Sequence, residues 1–278
     1  MPRRAQTYLP GAMSSRLPIA RHSLVGSRRA LLAWTIAVAA TLLLYLPLYP
    51  SIGGNGQMQH VIDSLPPALV KTLGYTDIDS GAGYAQSTFY GLMGFVLFII
   101  AATSWGSSCT GGAEESGWLS ITLAHGVGRF QYAFESSLVI LIKVVWLGAF
   151  SGALVIALTR PFRLEIATMD VVAASAALTG LAFLSGAAAL VAGFATGRRA
   201  DATSAGASVA VMAFLANAVG RQVGSLQWLQ DISPYAWAFR GAPLRNGTDV
   251  RGLSLLWGSG LLCCLVASCF LGRRDIIE

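Results

Sequence analysis

Six long apolar runs divide the chain, at about residues 30–49 (ALLAWTIAVAATLLLYLPLY), 86–106, 132–158, 171–196, 203–220 and 253–272. Each approaches the roughly 20 residues with which a helix crosses about 30 Å of hydrocarbon, where lipid offers backbone groups no partner and the helix satisfies its own. The pattern predicts an all-α membrane protein of six transmembrane helices. Residues 1–278 then form a single transmembrane domain, with a basic tail over 1–29, the bundle over 30–272 and a short tail over 273–278. The fifth run is the weakest, being short and carrying Asn217; without it the count would be five. The first run starts about 30 residues into the chain. It exceeds the core of about 7–15 residues typical of a cleaved signal peptide, so it reads as a retained anchor.

Amphipathic stretches too short to span lie between and before these runs. From Ala113 to Ala124, Trp118, Ile121 and Leu123 are set against Glu114, Glu115, Ser116 and Ser120, the division expected of one short helix. Thr110 and two glycines give it a flexible entry, Gly126 and Gly128 end it, and carboxylates in its first turn complement the positive end of the helix dipole. Ser15 to Arg29 predicts a helix lying on the membrane surface, with Arg16, Arg21, Arg28 and Arg29 among lipid phosphates. Val61 to Leu73 predicts another surface helix, started or interrupted at Pro66 and Pro67. Trp228, Tyr235, Trp237 and Phe239, with Arg221, Arg240 and Arg245, read as an aromatic belt at a membrane interface.

Composition agrees: 54% of residues are apolar and 12% are charged, against about 25% charged in an ordinary globular domain. The net charge of +6 does not indicate nucleic acid, because the basic residues are not interleaved with exposed aromatics and six of the nineteen crowd into the first 29 positions. Membrane lipids are the expected partner of that tail, and no nucleic acid is expected. With the N-terminus inside, eleven lysines and arginines fall in inner segments and seven in outer ones, so both termini are expected in the cytoplasm. The segment of Glu114 and Glu115 is then cytoplasmic. The contrary arginines cluster between the last two spans.

Candidate chemistry is sparse. Cys263, Cys264 and Cys269 share one apolar run and Cys109 stands apart, which suits small packing residues better than a disulfide framework or a metal site. Lys143 lies about 11 residues, or roughly 17 Å, into the third run, where a charge costs about 2.5–3.5 kcal/mol on insertion scales. It is therefore expected to be paired or functional. Glu135, one helical turn in, is rotated away from it and is expected to meet Arg129, the basic N-terminal tail or a helix dipole. The Glu-Glu pair could suggest an intramembrane prenyl-protein protease, but Leu119 stands where such enzymes carry an arginine. A rhomboid-like reading of Ser185 lacks a histidine in a later span, since the three are His22, His60 and His125. Neither lysine sits in a Walker A motif: Lys71 follows Val70, and Lys143 precedes Val144. No catalytic residue, cofactor or metal is expected on this chain.

The stretch EESGWLSITLAHGVGR, residues 114–129, resembles the segment between the second and third spans of ABC-2 type permeases, the membrane subunits of ABC exporters. Glu115, Gly117, Leu119 and Arg129 fit that pattern, Ile121 and Leu123 take its hydrophobic positions, and His125-Gly126 replaces its usual proline. LYPSI at 48–52, ISPYAW at 232–237, Arg198-Arg199 and Arg273-Arg274-Asp275 resemble further segments of such permeases, so the resemblance runs nearly the whole chain. It implies that Glu114, Glu115, Gly117, Trp118, Leu119, Ile121, Leu123 and Arg129 form a cytoplasmic coupling helix seated in an ABC ATPase subunit, which holds ATP and Mg2+. It also implies a second permease copy or a paralogous permease, a multi-pass place in the bacterial cytoplasmic membrane, and a helical hairpin re-entering the outer leaflet before the last span. The cargo would be amphipathic or lipophilic: a drug, an antibiotic or a lipid-like compound. Candidates for its pathway are Lys143, Trp146, Asn217, Phe89 and Phe95. The alternatives are a secondary transporter or scaffold not driven by ATP, which would predict an internal repeat, and an intramembrane hydrolase.

Overall fold

The computed structural model describes residues 17–52 and 80–274. The tail before residue 17, the surface helix expected over 61–73 and the last four residues lie outside them. Among the described residues the regular structure is helical. Six helices are long and apolar enough to cross a membrane: Arg28–Ser51, Gly81–Cys109, Arg129–Thr159, Thr168–Thr196, Arg199–Gln222 and Val250–Arg273. The fifth, the weakest in sequence, is a full 24 residues. In chain order we label α1 (Pro18–Gly26), α2 (the first span), α3 (the second), α4 (Gly111–Glu115), α5 (Trp118–Ala124), α6, α7 and α8 (the third to fifth), α9 (Trp228–Ile232), α10 (Pro234–Phe239), α11 (Pro243–Asn246) and α12 (the sixth).

The fourth span, α7, is the axis of the bundle and packs against α3, α6, α8 and α12. Its most apolar stretch is 83% buried, whereas that of α2 is 17% buried, so the two helices meet different surroundings. The reason lies in side-chain size. Lipid supplies no hydrophobic force between helices, so backbones must come close enough for dispersion contacts to accumulate. The alanines, serines and glycines of α7 allow this on several sides. A Cβ on Gly148 of α6 would overlap the Thr179 hydroxyl of α7, and one on Gly106 of α3 would come within 2.7 Å of the Gly186 carbonyl.

One stretch of α3 leaves the α-helical ladder. Over Gln86–Met93 the backbone forms a π-helical turn, with the Gly94 N–H reaching the Phe89 carbonyl five residues back. The widened turn directs Phe89 and Tyr90 into the core, where their rings meet edge to face at 5.1 Å.

Because the number of spans is even, α1, α4, α5 and the end of α12 share one face of the bundle, here called basal, while α9, α10 and α11 lie on the distal face. The aromatic belt expected between the last spans is redistributed. Trp228 is exposed, but Tyr235 and Phe239 are buried. Pro234 at the start of α10 and the Ser233 side chain, which accepts from the Ala236 N–H, aim this helix into the distal end of the bundle. There the Tyr235 hydroxyl donates to the Gly91 carbonyl at 2.7 Å and its ring packs edge-on to Phe95 and Phe214. Arg240, one of the contrary basic residues, pairs with Asp231 at 2.6 Å.

Candidate functional site

Glu114, Glu115, Arg129 and Glu135 come together at the basal face. The single amphipathic helix expected from Ala113 to Ala124 is two helices, because Gly117 takes a left-handed conformation (φ 72°) that stops α4 and starts α5 in a new direction. Leu119 consequently drives into the core and is fully buried. Leu123 packs against the same core. Trp118 and Ile121 remain 44% and 54% exposed. Ser120 and Ala124, four residues apart, are exposed as well.

Each of the two glutamates has a partner within the chain. Glu114 makes a two-pronged ion pair with Arg274 after the last span, with Nη2–Oε1 at 2.7 Å and Nη1–Oε2 at 2.9 Å. Both side chains are mostly shielded, at 20% and 27% exposure, so water weakens the pair less than it would an open surface bridge. Glu115 Oε1 accepts the backbone N–H of Arg199 at 2.7 Å. It thereby serves one of the unsatisfied first-turn amides of α8 and sits at the positive end of that helix's dipole. Arg129 donates to the Arg274 carbonyl at 2.7 Å, tying the start of α6 to the end of α12. The α4–α5 pair is thus fastened to the fifth and sixth spans, and the third joins them through Arg129.

α1 closes the same face. Glu135 of α6 is fully buried, and it accepts the Ala20 N–H in the first turn of α1 and the Gln131 side chain, both at 2.8 Å. Of the partners expected for it, it meets the N-terminal tail, through a first-turn amide of α1. The His22 ring of α1 stacks on Trp118 with centroids 5.1 Å apart.

Between α1, α2, α3, α5 and α6 lies a cavity of about 760 Å³. Trp34, Trp105, Trp118, Tyr132, Ser136 and Lys143 are among its lining. Lys143 is 2% exposed, and its ammonium lies 5.4 Å from the centre of the Trp105 ring, a cation–π contact. No carboxylate of the described residues is within ion-pair distance of it.

Of the five residues expected along a pathway, only Lys143 borders this cavity. Trp146 is 53% exposed and donates to the Thr35 hydroxyl of the first span at 3.3 Å. Asn217 is buried in α8, and neither amide atom has a hydrogen-bond partner among the described residues. Phe89 and Phe95 are core residues. Sequence reasoning missed Trp105, Tyr132 and Ser136. Tyr132, Ser136, Val139 and Lys143 do recur at intervals of four, three and four, a single helix face leading to the lysine. Nothing in the pattern of α3 marks Trp105 as the residue that meets it.

A family model described as multidrug efflux system permease Rv1217c, C-terminal domain, matches residues 24–274 of the chain. Among curated proteins, none matches.

Proposed function

Because the chain belongs to the family of the multidrug efflux system permease Rv1217c, C-terminal domain, we propose that it is the permease subunit of an ATP-driven exporter of the ABC-2 type. It moves an amphipathic or lipophilic compound outward across the bacterial cytoplasmic membrane. The basal face is then cytoplasmic, in keeping with the arginines that flank the first span on that side. ATP and Mg2+ belong to a separate nucleotide-binding subunit, and two permease chains, identical or paralogous, complete the assembly.

The observation that carries this reading is the fastening of α4 and α5. A helix pair that is to deliver a push must present a surface to the motor and be rigidly joined to what it moves. Ser120 and Ala124 supply the surface, with the half-exposed Trp118 and Ile121 beside them at the rim of the cavity. Glu114 on Arg274 and Glu115 on the α8 amide supply the joints. In this reading the acidic pair transmits motion into the fifth and sixth spans, and docking falls mainly to α5.

The test is a thiol cross-link from Ser120→Cys, in a background with the native cysteines replaced, to any ATPase subunit encoded by a neighbouring gene. A cross-link whose yield changes with ATP supports the reading. If no neighbouring ATPase co-purifies with the chain and none cross-links, the assignment is rejected.

A further inference from the structure

We infer that the basal cavity is a binding site for a small amphipathic anion, with its acidic group held at Lys143 and its apolar body lying along the face of α6 toward Tyr132. The inference takes from the permease reading only the premise that the chain sits in a membrane.

The shape comes first. Tyr132 and Lys143 are 11 residues apart on one helix face, so the α6 wall of the cavity runs roughly 17 Å along the helix axis. The volume of about 760 Å³ falls within the roughly 300–1,000 Å³ of small-molecule sites. The walls suit an apolar body with a few polar contacts: Trp34, Trp105 and Val139 are interspersed with the hydroxyls of Ser104, Tyr132 and Ser136.

Charge then selects the ligand. Helical side chains lean toward the helix N-terminus, so Lys143 points back toward the basal end of α6, where the cavity lies. Among the described residues, the lining contains no aspartate or glutamate. Glu135, the one fully buried carboxylate among the described residues, has its two oxygens engaged by Ala20 and Gln131. The ring of Trp105 offers a partial negative face to the ammonium but no full counter-charge. A carboxylate, sulfonate or phosphate entering the cavity would complete the pair. A cationic amphiphile would be repelled, and a neutral one would leave the lysine unpaired.

The full chain is reconstituted in nanodiscs of phosphatidylcholine, which bear no net charge, and its tryptophan fluorescence is titrated with 12-bromododecanoic acid and with its methyl ester. Bromine quenches nearby indoles, and Trp34, Trp105 and Trp118 border the cavity. Both probes enter the bilayer and quench lipid-facing tryptophans without saturating. The acid is expected to add a saturable component, displaced by unbrominated dodecanoate, at a concentration at least tenfold below any shown by the ester. Lys143→Met is expected to abolish that component and Lys143→Arg to keep it. Equal behaviour of acid and ester, or an unchanged component in Lys143→Met, overturns the inference. If Lys143→Met fails to fold, the acid-against-ester comparison on the unaltered chain decides alone. Binding is read on the permease by itself, so loss of the acid-specific component would leave the exporter reading standing, and absence of an ATPase partner would leave this binding result standing.

Discussion

At the scale of single residues, the shielded charges toward the basal end are of two kinds, those that hold the fold and those that burden it. The shielded pair of Glu114 and Arg274 belongs to the first kind. Glu114→Ala leaves a guanidinium without its bidentate acceptor and is expected to cost about 1–3 kcal/mol. That cost should appear as a lower thermal midpoint in detergent, and the swap Glu114→Arg with Arg274→Glu should recover part of it. Lys143 is of the second kind, since burying its ammonium with no carboxylate partner among the described residues is unfavourable. Lys143→Met keeps the length of the side chain and removes the charge, so the thermal midpoint is expected to stay level or rise. A clear fall would mean that the cation–π contact with Trp105 outweighs the cost of burial. The sequence indicated that Glu114 and Glu115 belong to a polar segment between two spans. It could not pair them with Arg274 and Arg199, which are 160 and 84 residues away, because such partners are chosen by how the spans pack.

At the scale of elements, glycines set the geometry. Gly117 separates α4 from α5 through a left-handed backbone that a Cβ disfavours by roughly 1–2 kcal/mol. Gly117→Val is therefore expected to loosen both helices, and Gly117→Asn to be milder because asparagine tolerates that conformation. Hydrogen exchange over residues 111–126 would rank the two. The account of the break fails if the valine variant protects these amides as well as the native chain does. Between spans, Gly148→Val forces a side chain against Thr179 and is expected to cost about 1–3 kcal/mol. Gly258→Val, where nothing lies within 4 Å, is expected to be close to neutral. Comparing their thermal midpoints tests whether close α6–α7 packing is what those glycines provide. The apolar periodicity of Ala113 to Ala124 was legible as helix, but its division at Gly117 was not. Glycine tolerates both the helical and the left-handed conformation, and which one it takes is tied to the burial of Leu119 in the core, a tertiary matter.

At the scale of the whole molecule, the fold is a bundle around α7 with two dissimilar ends. If the basal face is cytoplasmic, a cysteine at Ser120 should react with an impermeant maleimide only in inside-out vesicles, and one at Asp231 only in right-side-out cells, both in a background free of native cysteines. The opposite pattern would reverse the orientation and remove any cytoplasmic motor from reach of α5. The outward faces of α2 and α8 carry large exposed apolar residues, among them Leu32, Ile36, Val211, Met212 and Leu215. These suit contact with lipid or with a second permease chain.

Six spans, their approximate ends, the short amphipathic element between the second and third, and the cost of placing Lys143 in hydrocarbon could all be read along the chain. Each depends on properties local to a segment: its length, its apolar content and the inability of lipid to satisfy a bare backbone. The tertiary structure decided which helix is the axis, that Tyr235 and Phe239 are interior, that Asn217, Phe89 and Phe95 stand apart from the cavity, and that Trp105 meets Lys143. These are choices among apolar surfaces that resemble one another in composition, and in a membrane they are settled by close fit between helices distant in sequence, to which hydropathy is blind.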